Sequence, residues 1–260
     1  MDSQLIESLY IRLAAPLQSW AGQAVTGNIV QTERAPTLTG LRGLIAGSLG
    51  APRFSWPSWI DDVEFLIRVE RSPYITDDFQ TINPRTESTR FRRRLLIAQG
   101  QRVSQKSLVF TPDAEGGNSI VRRTYLADGE FLIRLTSDDH LDELEYALSS
   151  PKFVTYLGRK AFAPTFPFYL GRGSADIFRE IPTLALDRDR SLTKDHFHSS
   201  QDGNDKLEQP PQERPVTVIT HNAISPPQGN RSLLQVPIAN PEDRIDRIRD
   251  LLSIRRIPVQ

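Results

Sequence analysis

The order of its strand-like and helix-like segments constrains the fold of this chain more than any other feature of the sequence. Leu9, Ile11 and Leu13 alternate with more polar residues, a period-two pattern that predicts a half-buried strand. The same reasoning predicts three further strands, at residues 63–71 (VEFLIRVER), 130–136 (EFLIRLT) and 152–160 (KFVTYLGRK).

Two segments between these strands have the pattern of helices. Residues 34–50 (RAPTLTGLRGLIAGSLG) carry an apolar face after a candidate N-cap at Thr37 or Thr39, and Gly50 ends the pattern. Residues 137–148 (SDDHLDELEYAL) have Ser137 as a cap and acidic residues in the first turn, where the helix dipole favours them.

The resulting order is strand, helix, strand, strand, helix, strand. It predicts an α+β fold of the ferredoxin-like, RRM-like βαββαβ type, whose four-stranded sheet is the platform of common RNA-binding domains. The connection between the second and third strands exceeds forty residues, whereas a hairpin loop needs about two to five. We therefore expect residues 72–121 to form an insertion within a first domain at residues 1–175.

A C-terminal extension at residues 176–260 follows that domain. Its residues 187–214 are polar and charged, a composition that predicts a mobile loop. Beyond this loop, residues 215–220 (PVTVIT) and 233–238 (LLQVPI) predict short strands, and residues 240–256 (NPEDRIDRIRDLLSIRR) predict a helix that begins at the proline.

Positive charge is concentrated in the predicted insertion. The net charge of the chain is zero, and 27 of its 32 basic residues are arginine. Residues 85–106 hold seven basic residues and one acidic residue, Glu87, with Phe91 among them. One interpretation is a solvated loop. The other is a surface for single-stranded nucleic acid, because phosphate neutralisation and a stacking ring are what such a ligand needs. Arg122 and Arg123 would extend this surface towards the sheet.

Three glycines, at positions 40, 43 and 47, occur within the first predicted helix, although each costs about 1 kcal/mol relative to alanine. Their spacing places them on one helix face. Two explanations are open at this point. Either the helix packs closely on the sheet or on another protein, or a phosphodiester approaches the backbone and the amide-rich helix start.

The composition excludes several classes of chemistry. Without cysteine, the chain has no disulfide, thiolate nucleophile or cysteine-bound zinc. It also lacks a P-loop and a Rossmann fingerprint, and we expect neither a cofactor nor a metal. His196 and His198 have a spacing that suits metal binding or proton transfer, but they fall within the predicted mobile loop. No apolar run has the length of a membrane span and no signal peptide is evident, so we expect a cytoplasmic protein without membrane contact.

Four motifs occur in an order that is similar to one known family: YIRLAAPLQSWAGQ (10–23), RAPTLTGLRGLIAGSLG (34–50), RRTYLADGEFLIRL (122–135) and LGRKAFAPTFP (157–167). Together they resemble the CasD family, which is the fifth Cas family within the RAMP superfamily and occurs in the type I-E CRISPR surveillance complex Cascade. The resemblance covers about residues 9–170.

The resemblance implies a ferredoxin-like palm with a long β-hairpin thumb. It also implies a subunit that holds the 5′ handle of the CRISPR RNA (crRNA), contacts the backbone subunit CasC and the large subunit CasA, and lies near target DNA. The RNA contacts that it implies are at the exit of the first strand, on the thumb and its return, and at the glycine turn around Gly158. They are Gln18, Trp20, Arg34, Thr37, Gly40, Arg42, Arg90, Arg92, Arg93, Arg94, Arg122, Arg123, Arg159 and Lys160.

Three functional hypotheses follow. The first is a non-catalytic RNA-binding subunit. The second is a metal-independent endoribonuclease that uses a histidine such as His196, because one branch of the family cleaves precursor RNA with tyrosine, lysine and histidine. The chain has no histidine before His140, and type I-E systems assign cleavage to another subunit, which favours the first hypothesis. The third is a protein-only interaction module with a charged loop.

Overall fold

The computed structural model has a mixed α+β architecture, as the sequence predicts. It describes residues 6–22, 29–82, 85–98, 100–104, 119–184, 213–222, 226 and 228–254. The strands are β1 (Glu7–Ala14), β2 (Leu17–Gln18), β3 (Ile29–Val30), β4 (Glu64–Arg71), β5 (Tyr74–Ile82), β6 (Ser119–Ala127), β7 (Glu130–Thr136), β8 (Tyr169–Ser174), β9 (Thr183–Leu184), β10 (Glu213–His221) and β11 (Asn230–Ala239). The helices are α1 (Leu38–Leu49), α2 (Arg85–Ala98), α3 (Leu141–Ser149), α4 (Ile177–Glu180) and α5 (Pro241–Ile254), with a 3-10 turn at Ser58–Asp62.

The main sheet contains seven strands in the order β8-β1-β7-β4-β10-β11-β9. All neighbouring strands pair antiparallel except β11 and β9, which are parallel. α1 connects β1 to β4 and α3 connects β7 to β8, so each of these helices crosses over one intervening strand. The predicted strands at the positions of β1, β4, β7, β10 and β11 are confirmed, as are helices α1, α3 and α5.

Both faces of the main sheet are covered. On one face, Leu9, Ile11 and Leu13 of β1 join apolar residues of α1 and α3 in a buried cluster. On the other face, Tyr10 joins residues of α4 and α5 in a second cluster, and its hydroxyl donates to the carbonyl of Ser174 (2.7 Å). The prediction that β1 is half-buried is therefore wrong, and the sheet does not present the open face that an RRM-type platform uses.

β5 and β6 form an antiparallel hairpin in a second, smaller sheet. The hairpin is paired from Tyr74 opposite Ala127 to Ile82 opposite Ser119, and β2 and β3 pair with the other edge of β6. The arginines expected on a β-hairpin lie instead on the helix α2, within the insertion. The reason is that residues 85–98 lack strand alternation and are rich in arginine and leucine, which favour helices.

The strand predicted at residues 152–160 is wrong. The backbone of this segment forms hydrogen bonds with a helix and with a neighbouring loop, and not with a strand. Lys152 N donates to Ser48 O (2.9 Å) in α1, and Leu157 O accepts from Ser19 N (3.1 Å). The fourth strand is β8, whose sequence YLGRGS has no apolar alternation and is defined by its pairing with β1. The cap predicted for α3 at Ser137 is also wrong, since that helix begins at Leu141 after His140.

The C-terminal residues that are described add to the main sheet. β10 pairs with β4, and β11 pairs with β10. In α5, Arg244 is buried and bridges two buried carboxylates, Glu70 (3.0 Å) and Glu130. The domain division at residue 175 stays a prediction. Most of the loop predicted at 187–214 lies outside the described residues, but its last two residues begin β10.

Candidate nucleic-acid interface

The chain leaves β1 through a corner at residues 18–20 that buried hydrogen bonds hold together. The side-chain amide of Gln18 donates to the carbonyl of Gly129 (2.8 Å), and the Gln18 side-chain oxygen accepts from the Trp20 indole N–H (3.0 Å). Gln18 is 0% and Trp20 1% exposed. Both side chains therefore use their polar groups inside the protein, where they fix the shape of the corner.

The corner is also tied to the second sheet. Trp20 N donates to the hydroxyl of Thr32 (2.8 Å), and Thr32 N donates to the hydroxyl of Thr124 on β6 (2.9 Å). Sequence reasoning missed both threonines, because no local motif marks them. Their role depends on two segments that are distant in the sequence.

Gly40 is the one glycine of α1 that close packing requires. A Cβ at this position would lie only 2.8 Å from Cε3 of Trp20. Thr37 is the N-cap of the helix, and its hydroxyl accepts from Gly40 N (3.3 Å). The start of α1 is therefore seated directly on the corner, and any side chain at position 40 would push the two apart.

The other two glycines of α1 leave an open surface. At Gly43 a Cβ would make an ordinary contact of 3.6 Å with Cη2 of Trp56, and at Gly47 it would meet nothing within 4 Å. Gly50 then ends the helix in the left-handed conformation (φ 74°), as the sequence predicts. The packing explanation thus applies to Gly40 and not to all three positions.

The predicted glycine turn lies against the same corner. Gly158 has a φ of 86°, and a Cβ there would overlap the carbonyl oxygen of Ser19. Leu157 N also donates to Phe162 O (2.8 Å), which closes the turn. Only glycine fits at position 158, so the turn and the corner form one structural unit.

Arg159, which follows this glycine, contacts Tyr125 on β6. Its guanidinium donates to the Tyr125 hydroxyl and lies 5.4 Å from the ring centroid, while the hydroxyl donates to Asp78 (3.1 Å). Phe162 packs edge-on against the same ring, 5.0 Å between centroids. Tyr125, Asp78 and Phe162 were not predicted as site residues, because their contacts join segments that are distant in the sequence.

Burial raises the pKa of the Tyr125 phenol, and Asp78 adds to this effect through its hydrogen bond and charge. The positive charges of Arg159 and Arg123 oppose the shift without reversing it. The phenol therefore stays protonated near neutral pH, and its hydroxyl works as a hydrogen-bonding group between two cations and a carboxylate.

The predicted pair Arg122 and Arg123 divides between the two faces of β6. Arg122 is exposed and forms an ion pair with Asp77. Arg123 faces the side of Tyr125, and its buried Nε has no hydrogen-bond partner among the described residues. Arg123 and Arg159 are therefore the two predicted arginines that the structure brings to one place, beside the corner.

The remaining predicted residues of the first half of the chain have different surroundings. Arg42 forms an ion pair with Asp61 (3.1 Å) and lies on the side of α1 that faces the 3-10 turn. Arg34 is exposed in the turn before α1, and Lys160 is exposed in the glycine turn beside Arg159.

The helix α2 begins at the end of the hairpin away from the corner. Arg90, Arg93 and Arg94 are exposed, and the side chain of Arg92 lies outside the described residues. α2 follows Ile82, at the opposite end of the hairpin from Ala127, a span of about 26 Å for strands of this length. The start of α2 is therefore separated from the corner by the length of the hairpin.

The histidines that the structure describes are engaged within the protein. The His140 ring stacks on Trp59, with 4.4 Å between the ring centroids. Burial lowers the pKa of His221, with a smaller contribution from Arg42, although a hydrogen bond to the backbone of Pro36 opposes the shift. His196 and His198 lie outside the described residues. Within the described ranges, no helix is both long and apolar enough to cross a membrane.

Comparison with known proteins identifies the class. The model of the family described as CRISPR-associated protein (Cas_Cas5) matches residues 8–227, and this chain belongs to that family. A relative is the CRISPR system Cascade subunit CasD of Escherichia coli (strain K12), which is 30% identical over 180 residues, 63% of this chain and 70% of that protein. A chain of a solved CRISPR RNA-guided surveillance complex has the same fold, with a TM-score of 0.57 and 21% identity, and the match covers 95% of this chain and 99% of that one.

Proposed function

We propose that this chain is the non-catalytic crRNA-binding subunit of a type I-E Cascade, a cytoplasmic ribonucleoprotein of antiviral defence. It holds the 5′ handle of the crRNA and contacts CasC and CasA, close to target DNA. Membership of the CRISPR-associated family and the similarity to a Cascade CasD subunit support a place in the complex. The observation that carries the RNA-binding role is the pair of arginines beside Tyr125.

The strand order supports a ferredoxin-like palm with an inserted thumb. The strands β8-β1-β7-β4, with α1 and α3 as crossovers, have the order and the antiparallel pairing of a βαββαβ unit. The β5–β6 hairpin and α2 are inserted between β4 and β7, the second and third strands of that unit, and form the thumb.

The corner has the charge and the geometry to hold phosphates. Arg123 and Arg159 supply two positive charges beside Tyr125, against the one carboxylate of Asp78, and the exposed Lys160 follows Arg159 in the glycine turn. A guanidinium offers a planar fork of donors that matches phosphate oxygens, and the side chains of Arg123 and Arg159 are both partly exposed.

The buried members of the predicted site act as positioning residues in this proposal. Gln18, Trp20 and Gly40 fix the exit of β1 against the start of α1, whose first turn supplies backbone amides for an anion. The RNA contacts themselves come from the partly exposed arginines. The exposed arginines of α2 neutralise phosphates farther along the RNA.

The absence of turnover is also part of the proposal. Its support is that the Tyr125 phenol is held protonated and paired with Arg159, which makes it a poor general base. The described histidines are stacked on tryptophan or buried, so neither is placed to assist attack by a ribose hydroxyl.

The test is to incubate the purified full chain with end-labelled CRISPR repeat RNA in the presence of EDTA. Retention of the RNA without cleavage is the expected result. Site-specific cleavage products would contradict the proposal in favour of a metal-independent endoribonuclease. An affinity that does not change with salt would contradict phosphate binding, since counterion release makes such binding fall steeply as salt rises.

A further inference from the structure

We propose that an apolar surface at the C-terminal end of α1 binds an acidic, apolar segment of a partner protein. The surface consists of residues 51–57, the loop after α1, and residues 151–156, the segment after α3; we call it the α1-end surface. The inference rests on the proposed function, in which the chain is one subunit of a larger complex, and it assigns a protein-binding role to a surface separate from the RNA corner.

The two segments begin at the same point. Ala51 N donates to Ala46 O (2.9 Å), and Lys152 N donates to Ser48 O (2.9 Å), in the last turn of α1. A Cβ at Gly50 would collide with the side chain of Lys152. The loop after α1 and the segment after α3 are therefore neighbours where they start.

From that point the segments follow α1 back towards its start. The ring of Trp56 lies beside Gly43, and Leu157 reaches the backbone of Ser19, close to the beginning of the helix. At Gly47, between these positions, a side chain would meet nothing within 4 Å. The two segments therefore border α1 at its last turn, at Gly43 and near its first turn.

The large apolar residues of this surface are exposed to an unusual degree. Phe54 is fully exposed and Val154 is 83% exposed, and Phe153, Trp56 and Tyr156 each expose more than two fifths of their area. Contiguous exposed apolar patches on soluble proteins mark sites of interaction. The α1-end surface, with five such residues in two adjacent segments, therefore has the exposed apolar character of an interaction site.

The charges of the two segments indicate what covers them. Residues 51–57 and 151–156 contain two basic residues, Arg53 and Lys152, and no acidic residue. Arg53 and Lys152 are exposed, and neither pairs with a carboxylate in the described part of the chain. Charged groups across protein interfaces are arranged so that a positive surface meets a negative one. Charge complementarity therefore favours a partner segment with apolar side chains and carboxylates.

Two other occupants fit this surface less well. Single-stranded RNA needs a basic groove beside its stacking rings, but only two basic residues, Arg53 and Lys152, accompany the five apolar side chains of this surface. A second copy of this chain, in a twofold contact, would bring Arg53 and Lys152 of both copies together without an acidic residue to compensate.

The test compares variants of the full chain for binding to the CasA-type and CasC-type subunits encoded with it, each purified separately. Phe54→Asn with Val154→Ser removes apolar area, and asparagine tolerates the φ of 65° at position 54. Arg53→Glu with Lys152→Glu reverses the charge and keeps the proposal testable if the apolar variant does not fold. Each double variant is expected to weaken binding to one subunit at least tenfold, with RNA affinity within twofold of wild type.

Leu233→Ser is the matched control, because this leucine is 75% exposed on β11, outside the α1-end surface. It should leave both affinities unchanged. The inference is overturned if both double variants bind the subunits as wild type does. It is also overturned if the variants lose RNA affinity in parallel with subunit affinity, or if the wild-type chain forms a dimer that the variants dissociate. A wild-type chain that binds neither subunit also overturns it, whereas one that binds a subunit but not RNA overturns the proposed RNA role alone.

Discussion

At the scale of single residues, the predicted site separates into residues that shape the interface and residues that face it. Gln18 and Trp20 are buried and bonded to each other, whereas Arg123 and Arg159 reach the surface beside Tyr125. A motif shows that residues belong together, but it does not show which of them contact a ligand. Burial makes that distinction, and burial depends on the folded chain.

Gly158→Ala is expected to destabilise the protein by at least about 2 kcal/mol. The left-handed conformation alone costs about 1–2 kcal/mol for a residue with a Cβ, and the new methyl would also overlap the backbone of Ser19. Thermal or urea unfolding measures the effect. Gly47→Ala is the control, since a side chain there meets nothing within 4 Å and helix propensity favours alanine by about 1 kcal/mol. If Gly158→Ala were as stable as wild type, the close packing of the glycine turn against the corner would be contradicted.

At the scale of elements, the sequence correctly predicts the strands and helices whose apolar pattern matches the neighbours with which they pair or pack. β1, β4 and β7 alternate and also pair in the main sheet, and α1 and α5 carry apolar faces that pack on it. β8 was not predicted because glycines interrupt its apolar pattern. It is a strand because its backbone pairs with β1. The contact of Arg159 with Tyr125 could not be predicted from local pattern, because it joins a loop to a hairpin across 34 residues.

The exposed arginines of α2 are expected to contribute to RNA binding and not to the fold. Arg93→Ala with Arg94→Ala should weaken RNA affinity and flatten its salt dependence by roughly 0.7 in log–log slope for each phosphate contact that is lost. Thermal unfolding should not change. Arg247→Ala with Arg249→Ala is the control, because these residues are exposed on α5. Unfolding of the α2 variant, or an unchanged salt slope, would show that α2 has another role.

At the scale of the whole molecule, a buried group of charges joins the C-terminal helix to the main sheet. Glu130 accepts from Arg12 (3.0 Å) and from Arg244, and Arg244 also pairs with Glu70, which pairs in turn with Arg68. A buried ion pair gives little net stability against an apolar alternative, but the loss of one partner leaves an unpaired buried charge. The C-terminal extension is therefore coupled to the fold of the first 175 residues.

Glu130→Gln should lower the free energy of unfolding at pH 7 by about 3 kcal/mol, because it leaves buried arginine charge without its carboxylate. Burial alone would raise the pKa of Glu130, but hydrogen bonds and charges from Arg12 and Arg244 outweigh burial and lower it. The ionised Glu130 therefore contributes its full stability to the wild-type protein at pH values above the ordinary glutamate pKa of 4.5. This contribution is lost as the pH falls through the lower pKa that Glu130 has in the folded protein.

The difference in the free energy of unfolding between wild type and Glu130→Gln should therefore become smaller in acid. Urea unfolding at pH 7 and near pH 3 measures this difference. Glu143→Gln, which alters a half-exposed carboxylate near His140, is the control and should change stability by less than about 0.5 kcal/mol. A Glu130→Gln protein as stable as wild type at pH 7 would contradict the coupling.

The most direct test of the central claim is the affinity of the full chain for RNA of the crRNA 5′ end, measured by fluorescence anisotropy over a series of salt concentrations. The account predicts that Arg123→Ala with Arg159→Ala weakens binding at least tenfold and reduces the salt slope by about 1.4, while the Arg247 and Arg249 variant binds as wild type does. Wild-type affinity and slope in the Arg123 and Arg159 variant would contradict the claim that this corner holds the RNA.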